Sequence, residues 1–196
     1  MAATLMDLPT TFTTRTARRL SLHPRDLYRL RDDGEVIELS RGVFRRADAP
    51  AASMPDFLAV AYRAPTAIIC CVSALVVYDL TDEMPRAIQV AVPREQRPPH
   101  IEYPPTEVFR FDSATFELGL SAVEAAPGEP VRIYSAERTV VDLMRLRRRL
   151  GEPLAFSALR RYLLRRDARP GELLSLARAL DVLGPMRTAL DLANAE

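Results

Sequence analysis

The chain has 196 residues, 48% of them hydrophobic, and a formal net charge of +1. That is enough length and apolar content to bury the core of one domain or two, and a total so near neutral carries no argument for or against nucleic acid. No apolar run approaches the roughly 18 residues of a membrane span, and the N-terminus lacks the basic and apolar regions of a secretory signal, so a cytoplasmic protein with no membrane contact is expected.

All 27 basic residues are arginine. A GC-rich genome explains that bias, but the planar arginine fork also suits phosphates and base edges better than lysine does. The charge is unevenly spread. Residues 13–46 carry nine arginines against five acidic groups, a net +4, and residues 47–137 carry six against thirteen, a net −7. Residues 138–178 carry eleven against four, a net +7. Such asymmetry suits a modular protein with distinct surfaces, and equally a domain whose two halves neutralise each other. Cys70 and Cys71 are adjacent in the apolar run Ala67 to Val72. Neighbouring Cα atoms, about 3.8 Å apart, are too close for an unstrained disulfide. Buried free thiols in a reducing compartment are expected.

In chain order, Thr13 or Thr14 is placed to cap a short helix holding Ala17 and Leu20. Ser21 to His23 break it, and Pro24 suits the first turn of a second helix. Leu27 and Leu30 of that helix fall three apart and face inward, and Gly34 stops it. This is helix-turn-helix spacing. Glu35 to Leu39, a turn at Ser40-Arg41-Gly42, and Val43 to Arg45 then read as a β-hairpin. A hairpin directly after the second helix is a wing, so the segment predicts a winged helix. Its second helix would lie in the major groove with Arg25, Tyr28 and Arg29 outward. Arg18 and Arg19 would flank the duplex backbone, Arg41 would sit at the wing tip, and Arg45 joins this expected DNA-binding set. Ala2 to Leu8 is short for the helix that ordinarily opens such a module, and Pro9 ends it.

Residues 49–54 lie in an Ala/Pro-rich stretch that reads as a linker. It separates an N-terminal module, 1–48, from a larger domain, 55–196. In the latter, 55–63 and 73–80 read as helices, with Ser73 near the start of the second. Residues 88–92, 107–111 and 131–134 read as strands, and 95–105 as an exposed loop. From Ser135 the pattern turns helical. One helix is expected over 136–150, with Val140, Val141, Leu143 and Met144 inward and an Arg138–Asp142 pair at i,i+4 spacing. Gly151 ends it. Helices over 153–166, 171–183 and 186–193 follow, the last two split by Gly184-Pro185. The expected class is α+β: an N-terminal winged helix, then a larger mixed domain ending in several helices. Arg145, Arg148, Arg149, Arg160, Arg161 and Arg165 would form a basic outer surface for a protein or nucleic acid.

Catalytic signals are weak. The seven glycines form no phosphate loop. His23 and His100 have no metal-ligand spacing with the cysteines, and Thr139 and Asp142 stand in no cluster. No catalytic residue, metal or cofactor is expected. Caps and the i,i+4 pair explain Ser73, Arg138, Thr139 and Asp142 as structural residues.

Three stretches together resemble the AbiEi-type antitoxins of bacterial abortive-infection toxin–antitoxin pairs. They are GEVIELSRGVFRR (34–46), VSALVVYDLTDEMPRAIQVAVPRE (72–95) and RIYSAERTVVDLMRLRRRLG (132–151), the last followed by FSALRRYL. The resemblance implies a cognate nucleotidyltransferase-like toxin, opposed functionally or by direct contact. It also implies repression of the operon's own promoter, the N-terminal domain binding inverted repeats in double-stranded DNA. The C-terminal domain would carry antitoxin activity and support cooperative binding. Two other readings stay open: a toxin-binding protein that does not bind DNA, and a solitary repressor without a toxin.

Overall fold

The computed structural model describes residues 5–194. The chain divides into two compact units that interleave in sequence. The first comprises residues 1–67, 99–106 and 124–131, and the second residues 68–98, 107–123 and 132–196.

In the first unit, a 3-10 turn at Leu5–Asp7 precedes β1 (Thr11–Thr13), α1 (Thr14–Arg19), α2 (Pro24–Asp32), β2 (Val36–Ser40), β3 (Val43–Arg46) and α3 (Pro55–Arg63). The local reasons are those the sequence offers. The Thr13 hydroxyl accepts from the Thr16 amide at 3.2 Å and caps α1. His23 caps α2 through Nδ1, with Pro24 in the first turn. Gly34, at φ +76°, lets Glu35 N–H return to Leu30 O and close the helix. The strands form a three-stranded sheet, order β1-β3-β2, antiparallel throughout. Phe12 and Phe44 face each other in register and stack at 6.0 Å. With Leu8, Ala17, Leu22, Leu27 and Val36 they make a cluster of seven buried residues. Burying each of the larger side chains contributes roughly 1.5–3 kcal/mol, and α3 adds buried Leu58, Ala59 and Val60 to the same unit. In the short segment 2–8, Leu5–Asp7 form a single 3-10 turn, and residues 2–4 lie outside the described ones.

Residues 49–54 have no regular structure but are tied down within this unit. Pro50 O accepts from Arg45, and Ser53 Oγ and Met54 N–H both donate to Ala125 O.

The second unit contains most of a five-stranded sheet, order β6-β5-β4-β8-β7. Its strands are β4 (Ile68–Ile69), β5 (Ile88–Pro93), β6 (Thr106–Phe111), β7 (Leu120–Ala126) and β8 (Glu129–Tyr134). β4 runs antiparallel to β5 and parallel to β8. The helices are α4 (Cys71–Val77), α5 (Ala136–Arg145), α6 (Arg147–Leu150), α7 (Glu152–Leu163), α8 (Pro170–Ala179) and α9 (Leu183–Asn194). α5 is the spine, packed on α4, α7 and α8 and buried from Ala136 to Met144. Two helical expectations need correction. The segment 136–150 is two helices that meet at Leu146, and Gly184-Pro185 lie inside the first turn of α9 rather than before it. Proline is tolerated there because its missing N–H has no partner to lose. Cys70 and Cys71 are free and buried, and burial pushes the Cys70 thiol well above its ordinary range.

Glu137, 3% exposed, joins α5 to the end of α7 and the start of α8. It accepts from Tyr162 Oη at 3.0 Å and from Arg169 Nη2 at 2.7 Å. Burial works against its charge. Its own backbone, Ser135, Tyr162 and Arg169 outweigh that and hold it below the ordinary 4.5. A lowered carboxylate contributes stability above its unfolded value and loses it as pH falls through the folded one. Urea denaturation should therefore show stability falling between about pH 5 and about pH 3, and Glu137→Gln should flatten that fall.

Candidate nucleic-acid interface

α1 and α2 are joined by Leu20 to His23, with Ser21 in the left-handed region at φ +64°. Ala17, Leu22 and Leu27 point into the core, which leaves the opposite faces to solvent. Arg18 and Arg19 are exposed at the end of α1, and Arg25 and Arg29 are exposed on α2. Tyr28 is 43% exposed; its ring meets Phe44 edge-on at 6.3 Å, and the Arg31 guanidinium sits 4.9 Å over it. This tyrosine is thus fixed against the core while presenting an edge outward. Arg29 and Asp26 approach only to 3.8 Å, both well exposed, and such surface pairs hold little energy. Arg15, exposed on α1, extends the basic face beyond the residues picked from the sequence.

The β2–β3 turn is shaped by Gly42 at φ +77°, where a Cβ would lie 3.2 Å from Thr14 Oγ1. Thr14 N–H donates to Gly42 O, and Glu38 accepts from Gly42 N–H, so the turn is held beside the start of α1. Arg41 stands at its tip with an 81% exposed side chain, 3.8 Å from Glu102.

Arg45 is corrected. It is 4% exposed and faces inward, donating to Thr11 Oγ1 and Pro50 O at 2.7 Å each and pairing with Glu129. A buried guanidinium with three partners is not presented to DNA. Strand alternation sent Phe44 to one face and Arg45 to the other; the chain covers that second face too, with residues more than eighty positions later.

The basic C-terminal surface is mostly neutralised within the second unit. Arg145 pairs with buried Asp142 at 2.8 Å and lies 4.4 Å over the Phe111 ring. Arg149 pairs with Glu107 and lies over Phe109. Arg161 pairs with Asp82, and Arg165 with Asp167. Arg148 is exposed. Among the described residues, no group of three or more His, Cys, Asp or Glu is placed to hold a metal ion, and no helix is long and apolar enough to cross a membrane.

Comparison with known proteins gives two findings. The chain is similar in fold to the RV2827C protein from Mycobacterium tuberculosis, with a TM-score of 0.50 at 16% identity over 92% of this chain and 78% of that one. No curated protein matches. Residues 4–47, the stretch that carries α1, α2 and the β2–β3 hairpin, match the family model described as transcriptional regulator, AbiEi antitoxin, so the resemblance read from the sequence holds for this N-terminal segment.

Proposed function

We propose that this chain is an antitoxin and transcriptional repressor that acts by binding rather than by catalysis. α2 lies in the major groove of promoter DNA with Arg25, Tyr28 and Arg29 at base edges. Arg18 and Arg19 hold phosphates, and the β2–β3 turn serves as the wing, with Arg41 at a neighbouring groove or backbone. Inverted repeats seat two copies. Residues 55–196 oppose a nucleotidyltransferase-like toxin, and exposed Arg148 is a candidate for that surface. The observation that carries the reading is that the exposed basic face of α1 and α2 falls inside the segment matching the AbiEi regulator model.

The test is a gel-shift titration on DNA from upstream of the chain's own gene, against scrambled DNA, at two salt concentrations. Selective binding that weakens with salt is expected. Arg25→Ala with Arg29→Ala should lower affinity for the promoter roughly 30-fold or more, with unchanged circular dichroism. No selective binding by the wild type would sink the DNA half of the proposal and leave a toxin-binding protein.

A further inference from the structure

A second basic feature of the first unit joins Arg41 of the matched segment to Arg63, which lies outside it. A cleft of about 350 Å³ is lined by Ser40, Arg41, Arg63, His100 and Glu102, all within that unit. Arg63 is the last residue of α3. Its guanidinium donates to the carbonyls of Arg41 at 3.2 Å and His100 at 3.3 Å. Those bonds fix the position of the group without neutralising it, since no carboxylate pairs with Arg63 among the described residues. Ser40 Oγ donates to Tyr103 O and pins residues 99–106 to the end of β2, so the cleft has a defined wall. The one carboxylate in it, Glu102, sits 3.8 Å from the Arg41 guanidinium, with both side chains more than half exposed. That pair is loose enough for a stronger anion to replace it.

We propose that Arg63 and Arg41 form a phosphate clamp beside the hairpin turn, taking one phosphodiester of duplex DNA, with Glu102 occupying Arg41 until DNA arrives. The proposal rests on the DNA reading above and deepens it. α3 extends the footprint past residue 47, and the contact is blind to sequence because it meets backbone only. The arrangement fits an anion with several acceptor oxygens: one guanidinium is preset on two carbonyls, and a second is free to swing in on a flexible stem.

The experiment is the same titration, run on promoter and scrambled duplexes over a range of salt, with full-length Arg63→Gln and Glu102→Gln. Glutamine keeps most of the aliphatic stem and a polar end but removes the charge. Arg63→Gln should weaken both duplexes alike, by about three- to tenfold, and reduce the slope of log affinity against log salt by about one. Glu102→Gln, which leaves every arginine in place, should raise affinity about twofold. A folded Arg63→Gln protein with an unchanged slope overturns the clamp, and if Arg25→Ala with Arg29→Ala still abolishes selectivity the groove reading stands without it. Absence of any gain with Glu102→Gln overturns it as well, even should Arg63→Gln fail to fold. If the wild type itself binds neither duplex, both readings fall together.

Discussion

Glu129→Ala is expected to destabilise the first unit by about 3–5 kcal/mol, the range for removing one partner of a buried ion pair. The reason is what the substitution leaves behind. Arg45 is 4% exposed and always charged, and with Glu129 gone it keeps only the Thr11 hydroxyl and the Pro50 carbonyl. Two neutral acceptors do not compensate a cation withdrawn from water. A folded domain is worth about 5–15 kcal/mol in all, so this is a large share of it. In urea the midpoint should fall by about 2 M, for a slope of roughly 2 kcal/mol per molar. Arg45→Met combined with Glu129→Leu should recover most of the loss, since an apolar pair of similar bulk has no charge to strand. A loss below about 1 kcal/mol for Glu129→Ala would mean that the pair behaves as a surface pair and that Arg45 reaches water. The same contact bears on dissection of the chain. A fragment of residues 1–48 removes both Glu129 and Pro50, so it should not fold alone, even though the family model matches only residues 4–47.

This pair also marks the boundary between what is legible locally and what is not. The helix-turn-helix spacing could be read because its signals are short-range: Thr13 three residues from the amide it caps, Pro24 in a first turn, and Gly34 and Gly42 where the backbone needs positive φ. The exposed face of α2 follows from the inward pair Leu27 and Leu30. The fate of Arg45 could not be read, because its covering residues come from 50 and 129. Nor could the break at Leu146, since an unbroken run of helix formers and arginines carries no stop signal there. β7 was missed for a related reason: its first three residues are exposed, and LSAVEAA lacks the apolar alternation of a half-buried strand. Ser73 was placed near a helix start, yet its hydroxyl serves the sheet instead, accepting from the Gln89 amide at 2.9 Å. The arginines of the C-terminal helices looked like a free basic surface in sequence. Their acidic partners, Glu107 and Asp82 among them, arrive from 42 and 79 positions away.

Asp142→Ala should be the most damaging substitution in the second unit, at about 3–5 kcal/mol. It tests whether the run Ser135-Ala136-Glu137-Arg138-Thr139 to Asp142 holds the architecture or a functional site. The local pair of Arg138 with Asp142 was visible at i,i+4 spacing; its complete burial was not. Arg138 Nε donates to Asp142 Oδ2 at 2.9 Å, with both side chains 0% exposed, and Nη1 reaches the carbonyls of Thr115 and Leu118. The guanidinium lies 4.2 Å over the Tyr134 ring, and Arg145 holds the other Asp142 oxygen at 2.8 Å. Burial pushes the Asp142 carboxyl upward, against the pull of the two arginines. Gly119 completes the arrangement. At φ +70°, a Cβ there would lie 2.5 Å from Arg138 Cβ, so the chain passes over the buried arginine only as glycine. Ser135 caps the helix at the Arg138 amide, and the Thr139 hydroxyl returns to Tyr134 O. The polar side chains of the motif thus serve the fold, with Arg138 Nη2 buried and left without a hydrogen-bond partner among the described residues. Asp142→Ala strands two guanidiniums at once, whereas Arg138→Met with Asp142→Leu leaves only Arg145, whose side chain is 25% exposed, and should cost less. Urea denaturation decides the stability question and a toxin-rescue growth assay decides the other. A stable Asp142→Ala protein that fails to rescue would make this motif a site. An unstable one whose Arg138→Met, Asp142→Leu counterpart is stable and rescues would make it the keystone of α5 and not a functional site.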